Sequence, residues 1–200
     1  MNAISTDFIR HPDEQPDAQA LTAELRRGLE RAAAELRSLD VPQAAALALE
    51  VTTLRNVVSS PLGSYDELPQ LDSAILAALS KLPDLCRHAP EAEVTQALKT
   101  LRRILLSDRR RIDPDPRRQS LSLAVCIRQL WLIGHRSDLL RSRVEWSEAQ
   151  RLLAVVPPED PRHEALQEHC SLLKTYCETQ EAYCSSVQRE MQQLQAELRS

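Results

Sequence analysis

Hydrophobic and polar positions follow a helical period along most of the chain, and the period is sharpest at the C-terminal end. From Pro161 to Ser200 the recurrence alternates steps of four and three: Leu166, Cys170, Leu173, Cys177, Gln180, Cys184, Val187, Met191, Leu194 and Leu198. So narrow a seam predicts a long helix held along one face against another helix. A seven-residue recurrence of Val125, Leu132, Leu139, Trp146 and Leu153 precedes it, and Pro157-Pro158-Glu159-Asp160 separates the two. Two segments of nearly equal length around a tight break fold back economically as an antiparallel hairpin. With Pro158 as pivot, Trp146 meets Cys170, Leu139 meets Cys177, Leu132 meets Cys184, Val125 meets Met191 and Arg118 meets Leu198. Small thiols then face large side chains, which lets the helices approach closely.

The first half carries four shorter amphipathic patterns. Leu21, Leu25, Leu29, Ala32, Leu36 and Leu39 line one, and Ala44, Leu47, Ala48, Val51, Leu54 and Val58 line the next. A third, over about residues 70–82, presents Leu71, Ile75, Ala78, Leu79 and Leu82; Pro83 is expected to end it, with a turn at Leu85 and Cys86. The fourth places Val94, Ala97, Leu98, Leu101, Ile104 and Leu105 on one face, with Glu91 and Glu93 in its first turn and Arg102 and Arg103 near its end, as the helix dipole favours. Residues 1–16 lack periodicity and are expected to be disordered. The chain thus reads as all-α: a helical bundle over 17–107, an Arg/Asp/Pro loop at 108–116, and a long, coiled-coil-like helical hairpin over 117–200 that packs on the bundle or extends from it. Gly134 is the expected place for a kink in the penultimate helix.

Composition strengthens the all-α reading. Three glycines and 3% aromatic residues leave a core of Leu, Ala, Val and Ile. A net charge of -4 disfavours whole-surface attraction to nucleic acid or anionic membrane. The most apolar stretch, Leu121 to Ile133, is too short to span a bilayer and is interrupted by Arg128 and Gln129, so no membrane insertion is expected. Five cysteines without paired short spacings, and no apolar leader pattern at the N-terminus, point to the cytoplasm.

Candidate chemistry is constrained by helix geometry. Residues seven apart on a helix lie about 10.5 Å apart along the axis, whereas sulfurs on one zinc ion must lie within about 4 Å of each other. Cys170, Cys177 and Cys184 therefore read as packing residues, and no metal or cofactor is expected. Gly28, Gly63 and Gly134 form no phosphate loop, and no nucleophile has a local base, so no catalytic residue is assigned. Arg109, Arg110 and Arg111 centre an Arg-rich segment at 102–118 that suits an acidic protein surface; nucleic-acid binding through the same segment is the alternative. Val187, Met191, Leu194 and Leu198 are the expected anchors for a partner helix, because the apolar complement of the seam thins toward Ser122 and Arg118. The function expected is non-catalytic protein binding, as an adaptor, assembly subunit or chaperone-like factor docking a protein partner or a second copy. By class, such a chain suits an accessory of a bacterial secretion machine.

Overall fold

The computed structural model describes residues 18–58, 69–106 and 115–200, which form helices throughout and no strand. The helices are α1 (Ala18–Arg37), α2 (Ala44–Val58), α3 (Pro69–His88), α4 (Glu91–Leu106), α5 (Pro116–Val155) and α6 (Arg162–Arg199). The N-terminal segment 1–16 and residues Arg109, Arg110 and Arg111 lie outside the described residues.

Helices α1 to α4 bury the faces their periods mark. Leu25 and Leu29 of α1, Val51 of α2, Ile75 and Leu79 of α3, and Leu101 of α4 are fully or almost fully buried in one aliphatic core. Ala32, Ala33, Ala44 and Ala48 are buried as well, and their small side chains let α1 and α2 close together. At Gly28 a Cβ would fall 2.7 Å from Leu76 Cδ2, so glycine lets α1 close onto α3. Among the described residues no aromatic side chain belongs to this core.

Pro83 does not end α3, contrary to the expectation from sequence. The helix continues for another turn to His88, and Leu82, Leu85 and Cys86 are all buried in the core. An internal proline costs a helix about 3 kcal/mol; burying Leu85, at roughly 1.5 to 3 kcal/mol for a large side chain, together with the Cys86 thiol on the continued face offsets that cost. The end of the helix is also tied down. Ala89 donates its backbone N–H to the Leu85 carbonyl at 2.8 Å, and Gln43 Nε2 donates to the Cys86 carbonyl at 3.1 Å.

Helix α5 belongs to two structures at once. Ile127, Leu130 and Ile133 complete the core of α1 to α4, while Val125, Leu132 and Leu139 turn toward α6. A polar clamp fixes α3 along it: Lys81 Nζ meets Asp138 Oδ1 at 2.6 Å, Ser137 Oγ donates to the Lys81 carbonyl at 3.2 Å, and Arg141 reaches both Asp84 and Asp138. Gly134 lies inside α5, which runs as helix from Pro116 to Val155, and the Lys81 stem packs 4.0 Å from where a Cβ would sit. Asp115 caps the helix by accepting the Arg117 N–H at 3.0 Å, with Pro116 at the first helical position. Helix α4 runs antiparallel to α5, since Glu93 pairs with Arg136 and Arg103 bonds Gln129.

Helix α6 returns along α5. Arg118 donates to the Leu198 carbonyl at 3.2 Å, Arg128 pairs with Glu190 at 3.6 Å, and Arg143 meets Glu181, so contacts run along much of both helices. Its first turn is held by Asp160, whose carboxylate accepts the Arg162 N–H at 2.8 Å and pairs with the same residue's guanidinium at 2.7 Å. These bonds hold the Asp160 carboxyl down at about 2, from an ordinary 3.8.

Candidate interaction surface

Most of the exposed large apolar side chains among the described residues lie on α5 and α6. At about 1.5 Å per residue, the 40 residues of α5 extend about 60 Å, about twice the length of the 20-residue α1 or α3. Beyond Ser142 the side chains of α5 that are at least half-buried, apart from Val156 after its end, are Trp146, Ala149 and Leu153, all on the face toward α6. This part of α5 and the first half of α6 form a two-helix arm with solvent on its other sides.

Every position of the expected α6 seam is buried or half-buried, and nearly all the residues between them are exposed. Cys170, Cys177 and Val187 are the buried members, and Cys184 is half-buried. Burial pushes the thiols of Cys177 and Cys184 up from their ordinary value, and that of Cys86 in the bundle as well. Among the described residues no group of three or more His, Cys, Asp or Glu side chains is placed to hold a metal ion.

The expected partner anchors are therefore committed to the chain itself. Val187 is 3% exposed, and Met191, Leu194 and Leu198 are half-buried rather than open. Register explains this: Arg118 reaches the Leu198 carbonyl, so α5 runs far enough to cover the end of α6. Met191 additionally lines a groove of about 460 Å³ between α4, α5 and α6, with Ala97, Leu132 and Ile133.

A different set of apolar side chains is open. Leu172 is 63% exposed, Tyr176 42%, Tyr183 40% and Trp131 40%. Leu172, Tyr176 and Tyr183 stand at i, i+4 and i+11, on one side of α6. Tyr183 carries the stripe across to α5, because its ring meets His135 edge-on at a centroid distance of 4.4 Å, and His135 also bonds Gln180 at 3.1 Å. Trp131 sits one turn before His135 on α5, with the Arg128 guanidinium 5.3 Å from its ring centre. Farther along the arm Val144, Leu152 and Val155 of α5 are exposed too, Val155 by 75%.

Sequence reasoning missed this stripe. Its signal was present: Leu172, Tyr176 and Tyr183 each directly precede a seam residue, Leu173, Cys177 and Cys184, and so widen the apolar arc beyond what one partner helix can cover. The chain matches no family model, no curated protein and no solved structure.

Proposed function

We propose that the protein is a non-catalytic protein-binding module, of the adaptor, assembly-subunit or chaperone-like kind, and that it works in the cytoplasm. The observation that carries this reading is the placement of its aromatic side chains. Of the four tryptophans and tyrosines among the described residues, Trp131, Tyr176 and Tyr183 are about 40% exposed and Trp146 is half-buried in the α5–α6 seam. Aromatic rings add most to stability when buried, and Trp and Tyr are the residues that most often dominate binding energy at interfaces. A fold that builds its core from aliphatics and holds its rings on one flank suits recognition of another protein.

The stripe from Leu172 to Tyr183 covers eleven helical steps, about 16 Å, and its continuation to Trp131 lengthens it further. That suits an amphipathic partner helix of about four turns laid along the flank of the pair, with anchors at i, i+4, i+7 and i+11. No helix among the described residues is long and apolar enough to cross a membrane, and all five cysteines are free thiols, as a reducing compartment would keep them.

Affinity capture from the native cell with the wild-type chain and with Tyr176→Ser/Tyr183→Ser tests the reading. The expected result is a stoichiometric partner on the wild type that the folded double variant loses. Identical captures by two folded baits, or a partner lost only when the fold is lost, would sink it.

A further inference from the structure

The end of the molecule opposite the arm tip has a charge character of its own. In residues 102–106, 115–128 and 189–200, arginines outnumber acidic residues seven to three, although the whole chain carries -4. At the other end, residues 143–168 hold six acidic residues and three arginines. Tertiary structure produces this polarity. The antiparallel course of α6 relative to α5 brings its last turn to the first turn of α5, and α4, also antiparallel to α5, brings its last turn beside Gln129, about 16 Å farther along α5.

Six of the seven gathered arginines, Arg102, Arg103, Arg117, Arg118, Arg189 and Arg199, are exposed. Their pairing sets them apart from those in the middle of the molecule, where Arg87, Arg136, Arg141 and Arg143 each meet a carboxylate. At this end Arg103 bonds the neutral amide of Gln129 and Arg118 bonds a backbone carbonyl. The guanidiniums of Arg102, Arg117 and Arg199 meet no carboxylate among the described residues. Guanidinium forks bind carboxylates or phosphates in pairs of parallel hydrogen bonds.

We infer that this end is a second binding surface, separate from the aromatic stripe, and that its ligand is an acidic segment of a protein. Spacing favours a peptide. Gln129, which holds Arg103, is eleven helical steps from Arg118, about 16 Å along α5; an extended segment of about five residues, at about 3.3 Å each, spans that distance. Composition argues against a nucleic acid. Asp115 and Glu197 stand among the arginines and would repel a continuous phosphate backbone, and no aromatic ring lies in these three segments to stack on a base. A peptide can place its carboxylates to avoid both acidic residues.

Fluorescence anisotropy with two labelled probes, a Glu/Asp-rich 12-residue peptide and a single-stranded DNA oligonucleotide of equal charge, tests the inference on the full chain at low salt. The peptide is expected to bind more tightly than the oligonucleotide, and Arg102→Gln/Arg103→Gln/Arg117→Gln/Arg118→Gln is expected to weaken it at least tenfold. Circular dichroism reports whether that variant keeps its helices; if it does not, Arg102→Gln/Arg117→Gln, which removes no side-chain hydrogen bond seen here, decides with an expected loss of threefold or more. Tighter binding of the oligonucleotide would assign the surface to nucleic acid and overturn the proposal. Absence of peptide binding, or affinity unchanged in the folded variants, would overturn it as well. Since Tyr176 and Tyr183 lie elsewhere, Tyr176→Ser/Tyr183→Ser should leave the peptide affinity unchanged, so failure of either reading is recognised separately.

Discussion

The bundle of α1 to α4 and the α5–α6 arm use the same helical period to different ends. In the bundle, each helix buries a broad face of several residues per two turns among multiple neighbours, and Leu29, Val51, Ile75 and Leu101 are wholly enclosed. In the arm, each helix has one neighbour and buries a narrow seam in which even Leu166 and Leu173 are only half-buried. Enclosure by several elements stabilises a side chain more than contact along one edge, since stabilisation follows the apolar area removed from water. The comparison teaches where this molecule keeps its stability and where it can present side chains to others. Residues of the arm can be exposed and apolar without loosening the core.

The largest test of that contrast is truncation of one side chain in each region. Ile75→Ala should cost about 3 to 4 kcal/mol, because it leaves a cavity enclosed on all sides. Leu172→Ala should change stability by no more than about 0.5 kcal/mol, as surface substitutions do. Denaturant unfolding measures both, and equal costs would remove the distinction between the regions.

Next in size is the effect of the aromatic stripe on binding. Replacing Tyr176 or Tyr183 by Ala should weaken a partner complex by about 2 kcal/mol each, as interface anchors do, while the unfolding midpoint stays nearly constant. Calorimetric titration with the captured partner gives the number. Affinity that survives both replacements would leave the stripe as ordinary surface.

The seam sharpens the comparison on a smaller scale. Cys177→Ala should cost about 1 kcal/mol, the loss of one small buried group with a neighbouring helix on one side. Because burial holds its thiol up, Cys177 should also remain protonated at neutral pH and alkylate slowly, as should Cys86. Mass-resolved labelling at neutral pH checks this, and rapid modification of Cys177 in the folded protein would show that the seam opens.

The smallest expected effect is at the arm tip. The Asp160 carboxyl is held at about 2 against an ordinary 3.8, so its contribution is present above 3.8 and is lost as pH falls through about 2. Asp160→Asn should abolish that acid dependence and fray the first turn of α6 already at neutral pH, without unfolding the bundle. Amide exchange at Arg162, whose N–H bonds the Asp160 carboxylate, reports the fraying; unchanged exchange would mean that packing alone holds the turn.

Much of this architecture was legible in the chain, for reasons particular residues make plain. Each position of the 4-3 recurrence from Leu166 to Leu198 is buried or half-buried, because a helix with one partner needs one stripe along its length. The pairing of Arg118 with Leu198 followed from counting around Pro158, since a short connector leaves little freedom of register. Local rules failed where several elements converge. Pro83 should stop a helix, and does not, because the cost of one missing bond is local while the burial of Leu85 and Cys86 depends on helices distant in sequence.

By itself, then, the order of residues determined the all-α class, the faces each helix buries and the return of α6 along α5, since all three follow from periodicity and turn chemistry within short windows. Tertiary structure decided which apolar side chains of that widened arc remain open. Val187 and Met191 are covered while Leu172, Tyr176 and Tyr183 are left exposed, although all five lie on the same helix. It also decided that arginines from α4, α5 and α6 gather toward one end. Exposure and charge density depend on which surfaces neighbouring helices occupy, and that is a property of the assembled fold rather than of any segment.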